Sequence, residues 1–346
     1  TRLVFQHENL ARKIRKAGAV PLFLDEQKSV EIDFKGTILR NAVPVPKILY
    51  GNLIKNRQEN TYINIPRLKT HIMTGITVCL KNQYGILYDR EKVYEHHRIN
   101  EKIVDLLRVF QPDFNIVDAT SVVDHGPIAI FDDWIKPLGL LLAGRDPVAV
   151  DSVCSRLIGL KRVKHVDMAA TEGLGVGKLE NIELLPSPDI VERHQIQLSD
   201  EIVPKLPKHL IIIRGRDGFC KEGCGYLDSV FLLMSSLSEV NSCIGIYGKK
   251  HNILELDRLQ GPFIVNGRCA VTELKEYFEN RKRKDKIKVY YIDDHFDVAS
   301  LIAFSRKIMR VPRGSLAYGV TRLGLPQHLF QRIVAGLHGA RYIIKY

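Results

Sequence analysis

The sequence has no apolar run near the roughly 20 residues that a membrane span needs; segments such as 138–143 and 209–213 are its longest. No basic-then-apolar leader follows Thr1, so no secretory signal is visible, and there is no initiator Met. Cysteine is scarce. Six unevenly spaced thiols in 346 residues argue against a disulfide framework and predict a reducing, cytoplasmic setting. The glycines Gly173, Gly175 and Gly177 precede Lys178 and Leu179 without the G-x4-G-K-[S/T] spacing, which excludes a triphosphate loop there. No G-x-S-x-G elbow exists, so a Ser-His-Asp hydrolase is not supported. Internal repeats and low-complexity tracts are also missing.

What is present has ordinary globular proportions, with 45% hydrophobic and 26% charged residues and length for about two domains. The unusual number is a net charge of +12, from 51 basic against 39 acidic residues. It admits nucleic acid, anionic substrates or acidic partners without choosing among them.

Periodicity predicts a helix over 9–17 ending at Gly18, a strand over 20–24, a strand over 61–66 closed by Pro66, and a helix over 97–110 stopped by Pro112. Strands at 115–118 and 138–143 follow, then Asp146 as N-cap with Pro147 opening a helix to Leu157. Prolines at 186, 188, 204 and 207 mark a linker. Beyond it, strands at 209–213, 243–247, 262–265 and 287–292 alternate with helices at 227–237, 271–280 and 298–309. This is the pattern of a parallel sheet with crossovers. The predicted fold is α/β: two units with mainly parallel sheets and a cleft between them. The units span 1–190 and 205–310, with a basic tail over 311–346.

Three segments carry candidate chemistry. Strand 61–66 is expected to run into a loop with Lys69, Thr70 and His71, followed by Lys81 and Asn82. Donors at the carboxyl end of a parallel strand suit a carboxylate, phosphate or enolate oxygen. The competing reading is two solvated lysines and a groove-filling histidine. An aspartate-rich block follows, in which Asp118 at a strand end and Asp124 with His125 are placed for acid–base work or ligation. Individually, each reads more readily as a turn or cap residue. The third segment is the cysteine set. Cys220, Cys224 and Cys269 fall at carboxyl ends of strands in one sheet, and Cys243 starts a strand at the opposite edge. Soft thiolates there suit an iron–sulfur cluster, [4Fe-4S] foremost, or zinc, with Cys79 a candidate fourth donor. Reduced thiols and a redox disulfide are the alternatives. The basic run Arg281–Lys284 with Lys286 and Lys288 reads as a helix end favoured by the dipole.

The run INIPRLKTH, then TG, then LKNQYG, together with IVDATSVVDHGP, LLLAGRDPVAVDSV and TEGLGVG, resembles in order the signature of the domain-of-unknown-function 362 family. A looser similarity, through His71, Gly75 and Lys81, is to nickel-pincer lactate racemases, in which a lysine of the corresponding block holds the cofactor. The Lys-Pro-Asn start common in the family is not seen, which suggests a first strand missing ahead of Thr1. The ferredoxin-like cysteine insert of many members is also not seen. Val-Val-Asp124-His125 replaces the usual acidic, glycine-rich approach to Gly126. The resulting expectation is a cytoplasmic enzyme using metal or an iron–sulfur cluster for redox or lyase/isomerase-like chemistry on a small anionic substrate. Lys69, His71, Lys81 and Asp124 would be catalytic, with Thr70, Asn82, Asp118 and His125 binding substrate. A redox partner and homo-oligomerisation are compatible with it. The alternative is a non-catalytic protein binding nucleic acid or an acidic partner.

Overall fold

The computed structural model describes residues 9–126, 132–200, 210–218, 220, 223–225, 228 and 243–294. The helices predicted at 227–237 and 298–309 and the tail over 311–346 lie essentially outside them. The strands are β1 (Ser29–Ile32), β2 (Val43–Pro46), β3 (Ile63–Asn64), β4 (Arg67–His71), β5 (Gly75–Thr77), β6 (Phe114–Val123), β7 (Ile135–Gly144), β8 (Leu210–Arg214), β9 (Cys243–Tyr247), β10 (Phe263–Asn266) and β11 (Val289–Ile292). The α-helices are α1 (Leu10–Lys16), α2 (Lys47–Tyr50), α3 (Cys79–Asn82), α4 (Asp89–Val93), α5 (Ile99–Val109), α6 (Pro147–Leu157), α7 (Lys164–Thr171), α8 (Ile190–His194), α9 (Ile253–Asp257) and α10 (Gly267–Asp285).

The first large sheet is built around β6. β7 runs antiparallel along it from Asn115 to Val123, leaving the other edge for β3 and then β4, both parallel. A register shift between Ala119 and Ser121 keeps Val122 buried after Val117 and Ala119, as a bulge does when it resets the two-residue alternation. Leu68, Val117, Ala119 and Val122 join Ile103, Val104, Leu106 and Leu107 of α5 and Val148 and Cys154 of α6 in one core. The second sheet is all parallel, in the order β11-β10-β9-β8. Its core joins Ile244, Ile246, Phe263 and Val265 to Ala270, Leu274 and Phe278 of α10. The α/β class is therefore correct, with a mixed first sheet and a wholly parallel second one.

Several local expectations change. Residues 20–23 form no strand, and Leu24–Glu26 is a single 3-10 turn. Val20 is 79% exposed and Pro21 has no N–H for a ladder. The 115–118 strand continues to Val123, so Asp118 lies mid-strand rather than at a strand end. The largest correction concerns Lys69, Thr70 and His71. They form strand β4, which turns at 72–74 and pairs antiparallel with β5, with His71 opposite Gly75. Pro66 interrupts the ladder for two residues, and the chain then re-enters it.

Candidate functional site

Lys69 and His71 are carried by β4, whose hairpin partner β5 leads directly into α3, and Lys81 sits in that short helix. A helix this short has little stability of its own, so other contacts must fix it. Asp151 of α6, fully buried, accepts from the Cys79 amide at 2.7 Å and the Leu80 amide at 3.1 Å. An asparagine chain holds the other end. Asn82 Nδ2 donates to Asn64 Oδ1 at 2.8 Å, and Asn64 Nδ2 donates to Cys79 O and Asn115 Oδ1, each at 3.0 Å. The Asn82 amide is thereby occupied in holding α3, and Lys81 is presented on a fixed backbone.

The electrostatics around Lys81 are one-sided. Burial, with the Lys69 charge second, pushes its pKa down to about 8. Burial also lowers Lys69, with Arg67 the second cause. Neither lysine has a side-chain hydrogen bond or ion pair among the described residues; Lys81 Nζ stands 5.9 Å from the Tyr84 ring centroid. His71 is held well below the usual histidine range by burial first and then by Lys81. Its Nδ1 accepts the Met73 amide at 3.2 Å, which leaves the proton of the neutral ring on Nε2. His71 is thus set as a hydrogen-bond donor, and a proton-accepting role at Nε2 would require giving up the Met73 contact.

His165 of α7 belongs to the same cluster, although nothing in its sequence context marks it. It is fully buried, its Nδ1 meets Asn100 Oδ1 at 3.2 Å, and its Nε2 has no hydrogen-bond partner among the described residues. Nε2 lies 4.0 Å from Asp151 Oδ2, and burial with the Lys81 charge lowers the ring to about 3. The Gln83 side chain, 1% exposed and two residues beyond Lys81, also has both amide atoms without a hydrogen-bond partner among the described residues. Buried polar groups are nearly always hydrogen-bonded, so His165 Nε2, placed next to the cationic cluster, stands out. Lys102 supplies the contrast. It is more deeply buried than either lysine of the cluster, and its Nζ donates to the carbonyls of Glu91, Lys92 and Tyr94, ending α4.

The other predicted residues divide. Thr70 is fully buried; its hydroxyl donates to Val123 O at 2.9 Å and accepts from the Gly126 amide at 2.8 Å. It ties the end of β4 to the Asp124–Gly126 turn. Asp124 accepts from the amides of His125 at 2.9 Å and Ser199 at 2.7 Å. His125 Nε2 lies 3.6 Å from Asp124 Oδ2, and its ring packs 5.2 Å from that of Trp134. This pair therefore stands at the same sheet edge as Lys69 and His71, with backbone duties already assigned to Asp124. Asp118 is elsewhere. It is partly exposed, bonds Thr120, and faces Arg67 at 3.8 Å.

In the second sheet, Cys224 is buried and Cys220 exposed, and Cys220 is the first cause, burial the second, that raises the Cys224 pKa. Cys269 lies in the first turn of α10, after β10, with β9 between the two loops. Among the described residues no three His, Cys, Asp or Glu side chains are grouped to hold a metal ion. Two thiols are fewer ligands than either a [4Fe-4S] cluster or a structural zinc takes from a protein. The described residues thus supply part of such a ligand set, and no chemical step is assigned to it. Cys243 is buried at the start of β9, as expected.

Among the described residues no helix is long and apolar enough to cross a membrane. No solved structure is significantly similar to the chain. A relative described as "Thylakoid-associated protein sll1697", from Synechocystis sp., is 29% identical over 121 residues. That match takes in 33% of this chain and spans only 37% of the relative's length. Residues 1–156 match the family described as domain of unknown function (DUF362), a segment that includes β4, α3 and Asp151, so the resemblance carried by the PRLKTH, LKN and DPVAVD runs is that of a DUF362 region.

Proposed function

We propose that the β4–α3 cluster binds a small anion and stabilises negative charge on one of its oxygens, as an enzyme of redox or lyase/isomerase type would require. The observation that carries this reading is the pair Lys69 and Lys81: two half-buried cations with no carboxylate or carbonyl answering them among the described residues. An uncompensated buried charge costs several kcal/mol, and a bound anion offsets that cost. The Nε2–H of neutral His71 adds a fixed dipole of the kind that stabilises a developing oxyanion or enolate. Asp151, the Asn64–Asn115 pair and Thr70 position this constellation.

The test is thermal unfolding with added sulfate at pH 7. Wild type should gain in Tm through ligand linkage, and a Lys69→Met/Lys81→Met double variant should lose that gain. An equal gain in both would place the anion elsewhere.

The competing nucleic-acid reading draws less support from the basic run than its charge suggests, because Arg281 and Lys282, two of its six basic residues, are engaged within the fold. Arg281 is buried and donates to Leu256 O and Leu259 O, and Lys282 pairs with Glu279 over the Tyr291 ring. The metal-dependent form of the enzyme reading rests on the Cys220–Cys224 pair. Iron and sulfide in anaerobically purified protein, lost on Cys224→Ser and retained on Cys243→Ser, would support it. The scarcity of cysteine, with none of the six in a disulfide, supports a cytoplasmic setting.

A further inference from the structure

We infer that the anion is a dianion, a dicarboxylate or a phosphate, rather than a monocarboxylate. This rests on the anion-site reading and deepens it by counting charge. Two ammonium groups, Lys69 on β4 and Lys81 on α3, have no hydrogen-bond or ion-pair partner among the described residues; the Tyr84 ring near Lys81 carries no charge. No carboxylate among the described residues lies within ion-pair distance of either ammonium group, and the nearest acidic side chains are held by other contacts. The two oxygens of Asp151 take the Cys79 and Leu80 amides, and Asp124 takes those of His125 and Ser199. Asp118 faces Arg67 and Thr120. The remaining titratable neighbours do not change the count. His71, His96 and His165 are all depressed and stay neutral at pH 7, and the Lys102 charge is spread over three carbonyls of its own loop.

A single negative charge would leave one of the two lysines uncompensated in a partly desolvated site, and two negative charges would neutralise both. Hydrogen-bonding capacity points the same way. Two ammonium groups and an imidazole N–H offer more donors than one carboxylate uses, and they suit two carboxylates or the several oxygens of a phosphate.

Calorimetric titration of the full chain at pH 7.4 with acetate, malonate, sulfate and inorganic phosphate tests this. Malonate, or sulfate and phosphate, should bind at least about tenfold tighter than acetate, the size of effect expected for one added charge-assisted contact. Preference for malonate identifies a dicarboxylate, and preference for phosphate and sulfate a phosphoryl group. Lys69→Met and Lys81→Met should each reduce the preference for dianions over acetate, and Lys81→Arg should keep most of it. Acetate binding as tightly as every dianion, with both Met variants still weakening it, would overturn the dianion while leaving the anion site standing. Dianion binding untouched by either substitution would overturn both.

Discussion

At the scale of single residues, two ionisable groups with opposite uses, one buried and one half-buried, explain most of the site. Asp151 spends both oxygens on the amides that open α3, and Lys81 spends nothing. Asp151→Ala should therefore cost about 2–4 kcal/mol in urea unfolding, because two buried N–H groups lose their acceptor. Asp151→Asn, which keeps one acceptor, should cost less. Burial raises the Asp151 pKa from 3.8 to about 7, so the folded state holds a proton that the unfolded chain releases near pH 4. Its contribution to stability is full below pH 4 and is lost as pH rises towards 7. Stability measured between pH 4 and pH 7 should thus decline less steeply in Asp151→Asn than in wild type. Lys102→Met should destabilise by about 2–3 kcal/mol, since it strips the donor from three carbonyls, and should leave anion binding in place. An Asp151 variant with unaltered stability would mean that α3 is held by the asparagine chain alone.

At the scale of elements, the sequence is legible where local chemistry decides and opaque where partners do. Asp146 and Pro147 announce the start of α6 unaided, and Asp146 accepts from the Val148 and Ala149 amides as a cap should. The alternation after residue 208 yields β8 to β11 within a residue or two. The Lys69–His71 segment misleads for a physical reason. Pro66 reads as a strand terminator, whereas the chain returns to β6 immediately beyond it and pairs again. α3 is invisible because its four residues are held from outside by Asp151 and Asn64. His165 is missed because its role depends on α7 packing beside α5, which no spacing encodes. The same view of elements predicts that Gly215→Ala is disruptive. A Cβ there would lie 2.0 Å from the Lys249 carbonyl oxygen, backbone that cannot swing aside. A loss of about 2 kcal/mol or more is expected in denaturant unfolding. A neutral outcome would show that the loop after β9 yields easily.

At the scale of the whole molecule, the net charge of +12 divides into charges with partners and charges without. Arg281 and Lys282 are bonded within their own unit, Lys102 closes a loop, Lys284, Lys286 and Lys288 are exposed to solvent, and Lys69 and Lys81 stand half-buried with no ion pair among the described residues. The account stands on that last pair being a ligand site, and the proton on Lys81 reports on it directly. Its pKa of about 8, against 10.5 for an ordinary lysine, means that anion affinity should fall as pH rises through 8. By the same linkage, a bound anion should raise the pKa, since it favours the charged form. The decisive measurement is an NMR pH titration of 13Cε-labelled lysines, with the Lys81 signal assigned by its loss in Lys81→Met, run with and without saturating sulfate. The account predicts a midpoint near pH 8 without sulfate and a clear upward move with it. A Lys81 midpoint near 10.5 that sulfate leaves unchanged would contradict it.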